Sequence, residues 1–321
     1  MIQSLPRYFR ALVALLKPMG DSLGPVATQP ILSEAEIHHL GAFLAEMAMS
    51  PMPNPKASES RKQGEQASRY LGSGMEYEES RLYQPGDEVR RINWRLMART
   101  GHAYTKLFQE ERQESWTLVV DQRQSMRFGT KKRLKVTQAA RIAGFYAWQA
   151  QTAGLPVEAI SLSETVKSTP ILEGKGSFER LMAFLSIPRP PLDVPQESRL
   201  HDELVDCQKK LQAGSRLVVI SDFHDLDEST LMVLAALQEK VMIKAILVYD
   251  EVEKQLPNIT GLKLQSLDGH QTVDSLSAVH QRAYQQWSRQ YFAEIRAKLE
   301  RVGVKVIELS TSESLMRLNE Q

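Results

Sequence analysis

Two apolar segments of the sequence each end at an aspartate whose carboxylate could take part in chemistry. The segment "WTLVVD" ends at Asp121, and "RLVVISD" ends at Asp222. Ser125 follows Asp121 and brings a hydroxyl group close to the first carboxylate along the chain. Oxygen ligands of this kind suit Mg²⁺ or Mn²⁺. If both segments are neighbouring strands, their carboxylates emerge at one edge of a sheet, where ligands bind in open α/β folds.

The charge of Arg123 argues against a metal at this place. Its guanidinium has no lone pair and is permanently positive, but it can pair with a carboxylate through two parallel hydrogen bonds. We therefore interpret Asp121, Ser125 and Asp222 as a degenerate metal site, in which a salt bridge or a hydrogen-bonded network replaces the ion. No cofactor is expected. An occupied Mg²⁺ or Mn²⁺ site is the alternative, and two ordinary polar strand ends are the third interpretation.

An enzymatic function is disfavoured by the motifs of the sequence. It contains no G-x-S-x-G elbow, no P-loop, no G-x-G-x-x-G after a strand and no H-E-x-x-H. Asp121 stands at a strand end, as the aspartates of some phosphoryl-transfer enzymes do. Those enzymes need a second acid two residues later, where this chain has Arg123.

From Trp116 onward, predicted strands alternate with predicted helices. The strands are "WTLVVD", "PVEAISLS", "RLVVISD", "VMIKAILVYD" and "VKVIEL". Helical segments separate them, such as "LKVTQAARIAGFYAWQAQTAG", which Gly154 is predicted to close. Strands of continuous apolar character spaced by helices indicate a parallel sheet covered on both faces. Right-handed crossovers then make a doubly wound α/β fold.

The composition of the 321 residues is that of a soluble globular protein. The 40 basic and 39 acidic side chains nearly cancel, which does not indicate a nucleic-acid partner. Cys207 is the only cysteine, which fits a reducing cytoplasm. The apolar run from Ala11 to Leu16 is too short for a signal peptide, so we expect at most peripheral membrane contact. The basic run "TKKRLK", Thr130 to Lys135, is interpreted as a solvated helix entrance.

Upstream of the first of these strands, "QPGDEVRRINWRLMART" predicts a tight turn followed by a short helical piece. Proline and glycine suit the central positions of the turn. Asp87 is predicted to cap the next helical turn, and Trp94 to bury against a sheet. A rigid structural corner is favoured over a partner-binding surface, although a capped turn leaves the arginines unexplained. The residues concerned are Pro85, Gly86, Asp87, Arg90, Trp94 and Arg99.

The sequence resembles a bacterial family of unknown function, number fifty-eight. The resemblance covers roughly residues 65–310. It implies a von Willebrand factor A-like domain. That family is commonly encoded beside MoxR-type AAA+ ATPases, so the resemblance also implies a non-enzymatic partner of such an ATPase. The residues that carry it are Gly74, Glu76, Arg81, Tyr83, Pro85, Gly86, Asp87, Arg90, Ile92, Trp94, Ala98, Arg99, Phe108, Glu111, Asp121, Met126, Phe128 and Gly129.

The resemblance implies further details of the site and of the domains. Metal sites of von Willebrand A domains are written D-x-S-x-S, and Arg123 stands at the position of the first serine. Ser177 is the candidate for a third metal-site position, which is a threonine in those domains. We predict three parts: a helical N-terminal segment with a linker over 1–64, a β-rich subdomain over 65–115, and a von Willebrand A-like α/β domain over 116–321.

The predicted function is that of a cytoplasmic adaptor or chaperone-like partner of a MoxR-type AAA+ ATPase. It would act on client proteins during their folding, assembly or metal loading, and not on nucleic acid. The alternative is a divalent-metal-dependent ligand-binding module centred on Asp121, Ser125 and Asp222. A hydrolase is the third candidate.

Overall fold

The computed structural model describes residues 29–49, 76–85, 87–109, 114–188, 197–257, 263–266, 269–272 and 277–319. These residues fall into two compact units. The described parts of Met1–Met49 and Glu114–Gln321 form one, and those of Ser50–Gln113 form the other. The N-terminal helix, Glu34–Met49, therefore belongs to the α/β unit and not to a separate segment over 1–64. The reason is that Leu40 and Leu44 are buried in the core of that unit.

The strands and helices are numbered along the described chain. The strands are β1 (Glu76–Leu82), β2 (Tyr104–Gln109), β3 (Trp116–Asp121), β4 (Val157–Leu162), β5 (Lys167–Ser168), β6 (Arg216–Ser221), β7 (Met242–Tyr249), β8 (Lys263–Ser266), β9 (Gly269–Thr272) and β10 (Lys305–Ser310). The helices are α1 (Glu34–Met49), α2 (Trp94–Thr100), α3 (Lys135–Ala153), α4 (Ser177–Leu185), α5 (Leu200–Lys210), α6 (Glu228–Gln238), α7 (Glu251–Lys254) and α8 (Ala278–Arg301). Short 3₁₀ helices span Val89–Arg91, Gln124–Met126 and Leu315–Leu318.

The α/β unit contains a six-stranded sheet with the order β10-β7-β6-β3-β4-β5. All neighbouring strands are parallel except β5, which pairs antiparallel with β4. The prediction of a doubly wound, mostly parallel sheet is confirmed. The chain turns from one half of the sheet to the other between β3 and β6, and ligands bind at this switch point in folds of this kind.

The helices cover both faces of the sheet, and an apolar core lies between the helices and the sheet on each face. Helices α1, α3 and α4 pack on one face, where Leu40, Phe145 and Phe178 are buried. Helices α5, α6 and α8 pack on the other, where Leu204 and Phe292 are among the buried residues. In the described part of the chain, no helix combines the length and apolarity that a membrane crossing requires.

In the second unit, β1 and β2 form an antiparallel pair, and the short helices lie in their connection. The predicted cap at Asp87 is wrong. The 3₁₀ helix that follows begins after Glu88 and has no side-chain cap. Asp87 instead accepts hydrogen bonds from the Gln84 backbone N–H at 2.9 Å, from Arg81 at 2.7 Å and from Thr105 at 3.1 Å. Its carboxylate therefore ties the connection to both strands. Gly86 lies outside the described residues.

Trp94 does not bury against a sheet, which corrects the second expectation for this motif. It is the first residue of α2, and 60% of it is exposed. Ile92 is buried, and it bridges to Thr105 on β2. Arg90 and Arg99 are exposed. The structural corner therefore depends on Asp87 and Ile92. The indole and the two arginine side chains are exposed and do not contribute to it.

Candidate functional site

The two strand-end aspartates lie together at the carboxyl edge of the sheet, as the sequence predicts. Asp121 is the last residue of β3, and Asp222 follows β6, its neighbour. The Ser221 hydroxyl donates to Asp121 Oδ2 at 2.6 Å. Ser125 Oγ lies 3.2 Å from His224 Nδ1, which lies 2.9 Å from Asp222 Oδ1. The structure thus brings Asp121, Ser125 and Asp222 together, with His224 among them.

Arg123 lies between two carboxylates. Its Nε and Nη2 donate to the two oxygens of Asp121 at 3.0 and 2.7 Å. Its Nη1 and Nη2 donate to the two oxygens of Asp225, and Nη1 also donates to the Ser198 carbonyl. These bonds use all five guanidinium N–H groups. The predicted salt bridge is present, but its second partner is Asp225 and not Asp222.

This arginine is almost completely buried, with 2% of its side chain exposed. Burial alone would lower the pKa of Arg123, but the carboxylates of Asp121 and Asp225 raise it, so the guanidinium stays charged. Burial would likewise raise the pKa of Asp225, but the hydrogen bonds and charge of Arg123 hold it below its usual range. The three groups therefore form an ion cluster in which one cation pairs with two carboxylates, and its Arg123–Asp121 pair is buried.

Asp222 forms a salt bridge with a different cation, Lys135. The Lys135 ammonium donates to Asp222 Oδ2 at 2.9 Å and to Glu253 Oε1 at 2.8 Å, and its side chain is 0% exposed. Burial lowers the pKa of Lys135, but Asp222 and Glu253 outweigh this effect and raise it. Burial would raise the pKa of Asp222, yet Lys135 and His224 hold it well below its usual range.

The interpretation of the basic run Thr130 to Lys135 as a solvated entrance is therefore wrong for its last residue. Lys131 and Lys132 are exposed, whereas Lys135 is buried. The burial of Lys135 could have been predicted from the helical period. Lys135 lies four residues before Ala139 and seven before Ile142, both of which are buried, and so it continues the apolar stripe of α3.

A third strand end supplies another buried carboxylate, Asp250 after β7. It accepts hydrogen bonds from the Thr130 backbone N–H at 3.0 Å, from the Thr311 hydroxyl at 2.9 Å and from the Val252 backbone N–H at 3.1 Å. It caps α7, whose Glu253 bonds back to the Asp250 N–H at 2.7 Å. Asp250 therefore fixes the end of the loop that begins after Asp121.

Ser177 does not join the site, which corrects its prediction as a metal-site position. Its hydroxyl donates to Gln151 near the end of α3. Lys135, at the site, is the first residue of the same helix. The sixteen intervening steps, at about 1.5 Å each, separate these helix positions by roughly 24 Å. The glycine-rich stretch before Ser177 leads to the other end of α3.

The residues present do not fit a divalent ion. Single ligand atoms of Asp121, Asp222 and His224 do lie within 4.8 Å of one another. However, both oxygens of Asp121 accept from Arg123, and Asp222 accepts from Lys135 and from His224. Mg²⁺ requires about six oxygen ligands in near-octahedral geometry. An ion here would have to displace two buried cations from the oxygens it needs.

A strained residue shapes the segment after β6. Phe223 has φ = 54°, the only positive φ among the described non-glycine residues, and its ring is buried. Its backbone N–H donates to the Ser221 hydroxyl at 2.9 Å. This left-handed step is unfavourable for a bulky residue, so the surrounding contacts must hold it. It precedes His224 and Asp225, which contact the two different ion clusters.

We predict that His224 makes the stability of the unit depend on pH. Burial lowers the pKa of His224, but the neighbouring Asp222 raises it above its ordinary value. The added stability is therefore complete below the unfolded-state pKa and is lost as the pH rises through the folded-state pKa. Urea unfolding of the wild type and of His224→Gln between mildly acidic and alkaline pH measures this. If the free energy of unfolding changed with pH to the same extent in the wild type and in the variant, the prediction would be contradicted.

A groove of about 580 Å³ adjoins the ion clusters on the α8 side. Trp287 and Tyr291 stack there, with ring centroids 5.3 Å apart and planes inclined by 18°. Two residues of the site, His224 and Asp225, form part of its wall. The lining residues are Phe223, His224, Asp225, Leu226, Asp227, Trp287, Gln290, Tyr291, Glu294, Ile295 and Lys298.

Comparisons with known proteins give relatives in sequence and in structure. The uncharacterized proteins Mb1516 of Mycobacterium bovis and Rv1480 of Mycobacterium tuberculosis are each 30% identical over 204 residues. The match covers 61% of this chain and 62% of the length of each relative. Among solved structures, BatB from Bacteroides thetaiotaomicron matches with a TM-score of 0.43 and 12% identity, over 65% of this chain and 96% of BatB. The SpRpn10 VWA domain matches with a TM-score of 0.37 and 11% identity, over 65% of this chain and 95% of that domain.

The family comparison covers both units. A family model described as "Protein of unknown function DUF58" matches residues 79–296. This range includes the β1–β2 connection, Asp121, Arg123, Lys135 and Asp222. The resemblance predicted from the sequence is thereby confirmed. The chain belongs to the DUF58 family of proteins of unknown function.

Proposed function

We propose that this chain is a non-enzymatic adaptor of a MoxR-type AAA+ ATPase, which contacts the ATPase through the carboxyl edge of its α/β sheet. The observation that carries the proposal is that the carboxylates at that edge are paired with cations of the chain itself. Arg123 and Lys135 satisfy the carboxylates that a metal or a substrate would otherwise use. What remains accessible there is a groove with stacked aromatic rings. The choice of a MoxR-type ATPase as the partner rests on the family resemblance.

The same contacts support a function without catalysis. A carboxylate that acts as a nucleophile or a base needs an oxygen that can reach a substrate. Asp121 is buried and accepts hydrogen bonds from Arg123 and Ser221 on its two oxygens. The metal-dependent binding module is disfavoured for the reason given above, since the residues do not fit an ion.

The groove has the character of a protein contact. Tyrosine and tryptophan are enriched at binding hot spots, and charged groups around them favour specificity and fast association. Glu294 and Gln290 on α8 are exposed beside the aromatic pair. The proposal places the chain in the cytoplasm, where the ATPase has access to ATP, and assigns it the folding, assembly or metal loading of client proteins.

Titration calorimetry of the full chain with the MoxR-type ATPase of the same organism tests the proposal. The double variant Gln290→Arg/Glu294→Arg changes two exposed groove residues one helical turn apart. We expect it to bind the ATPase about tenfold more weakly or worse, because two long cationic side chains would reverse the charge of the groove wall and crowd the groove. Wild-type affinity in the double variant would show that the ATPase docks elsewhere.

The matched control is Glu179→Arg, an exposed charge reversal on α4, which packs on the other face of the sheet. It should bind the ATPase as the wild type does. If the wild type does not bind the ATPase at all, the adaptor proposal is overturned. Asp222 is a poor probe of docking, because its removal would take away the carboxylate that accepts from Lys135 and His224 and would destabilise the unit.

A further inference from the structure

The β1–β2 connection of the second unit exposes apolar side chains. Trp94 is 60% exposed, and Val89 is 58% exposed. Helix α2, which starts at Trp94, has no buried residue. Isolated exposed apolar residues are normal on a protein surface, but a large indole in a segment rich in arginine is typical of recognition sites.

Three exposed arginines accompany the indole. Arg95 and Arg99 are four residues apart on α2 and therefore lie on one face of the helix. Arg90 lies in the preceding 3₁₀ helix. No salt bridge between described residues involves any of the three, so their charge is not neutralised within this part of the chain.

The local fold does not depend on these side chains. Asn93 caps α2 by accepting from the Leu96 N–H at 3.1 Å, and it donates to Ser80 on β1 at 3.1 Å. Ile92 supplies the buried apolar contact. Asp87 links the connection to both strands, as described above. The indole and the guanidinium groups are thus left for an external partner.

We infer that the Trp94 surface, defined as Val89, Arg90, Trp94, Arg95 and Arg99, binds an acidic protein segment that also carries apolar side chains. The guanidinium groups would pair bidentately with carboxylates, and the indole would pack on an apolar side chain of the segment. Charge complementarity favours this partner, because the surface contributes three cations. Glu88, next to Val89, is an exposed acid beside it.

A nucleic acid fits this unit less well. Residues 76–109 contain six lysines and arginines and five aspartates and glutamates, so acidic groups nearly balance the basic ones over this range. A nucleic-acid site requires an extended basic field along the phosphate backbone. The Trp94 surface belongs to the second unit and the groove beside α8 to the α/β unit. The inference about the Trp94 surface does not depend on the ATPase proposal.

Fluorescence anisotropy of the full chain with a labelled peptide of alternating acidic residues and leucines tests the inference. We expect the wild type to bind the peptide, and Trp94→Ala to bind it at least about tenfold more weakly, as hot-spot truncations do. Arg95→Glu/Arg99→Glu should abolish binding, and added salt should weaken wild-type binding. Lys240→Glu, an exposed reversal in the α/β unit, should change nothing.

Two further probes decide between partners, a peptide with lysine in place of each acid and a single-stranded oligonucleotide. Neither should bind as tightly as the acidic peptide. Tighter binding of the oligonucleotide, with the same losses in the variants, would overturn the protein partner. Absence of wild-type binding to the acidic peptide, or equal binding by Trp94→Ala, would overturn the inference. Urea unfolding equal to that of the wild type shows that each variant is folded, since none of these side chains is buried.

Discussion

Lys135→Met should lower the free energy of unfolding of the α/β unit by about 3–5 kcal/mol, because it leaves two buried carboxylates without their cation. The ammonium donates to both Asp222 and Glu253, and all three side chains are buried. Methionine is similar in length and fills the space without a charge. Total stabilities of domains are about 5–15 kcal/mol, so a loss of this size is readily measured by urea unfolding.

The pH dependence identifies the cause of this loss. In the wild type, the pKa of Asp222 is held well below its usual range, so its stabilisation is present above the unfolded-state pKa and is lost on acidification. In the variant, both carboxylates should have raised pKa values and should destabilise the unit as the pH rises. The difference between the two proteins should therefore shrink at acidic pH. Lys132→Met, an exposed neighbour, should change stability by less than about 0.5 kcal/mol.

Arg123→Ser should destabilise the unit by a similar amount, about 3–5 kcal/mol, and should make its stability sensitive to Mg²⁺ or Mn²⁺. The variant removes the guanidinium from Asp121 and Asp225 and places a hydroxyl two residues after Asp121, in the D-x-S-x-S pattern. Lys135 continues to occupy Asp222, so we expect weak binding of the ion and partial recovery of stability by mass action. Thermal unfolding with and without millimolar metal measures both effects.

In the same experiment the wild type should unfold identically in metal and in chelator. Arg199→Ser is the matched control, because Arg199 pairs with Asp227 at the surface, where both side chains are largely exposed. Its loss should be about 1 kcal/mol or less. Metal-dependent stability of the wild type would show that Arg123 does not exclude the ion. An unchanged Arg123→Ser protein would show that the pair with Asp121 contributes nothing.

The sequence was sufficient to predict the sheet and the meeting of its strand ends. Continuous apolar strands and a 3.6-residue helical period follow from which side chains are buried, and both are visible in single segments such as Trp116–Asp121. The convergence of Asp121 and Asp222 then follows from the geometry of parallel sheets. That Arg123 would pair with a carboxylate was also predictable, since a buried guanidinium requires one.

Which carboxylates pair with Arg123 and Lys135 was not fully predictable, because these pairs join segments that are far apart in the chain. Asp225 reaches Arg123 across 102 residues of sequence, and Glu253 reaches Lys135 across 118. Phe223, two residues before Asp225, has a positive φ that no local residue preference indicates. For Trp94, the expectation of burial followed the general preference of large apolar residues, which its 60% exposure contradicts.

The covalent attachment of Arg123 and Lys135 has a consequence for control of this edge. A bound ion occupies its ligands only when its free concentration exceeds its dissociation constant, so its supply can switch such a site on or off. Arg123 and Lys135 are part of the chain, so these two cations are always present at the site. The electrostatic state of the edge should therefore be independent of the supply of divalent metal ions in the cell. Regulation of it is left to protonation of His224, to contact with another macromolecule or to local unfolding.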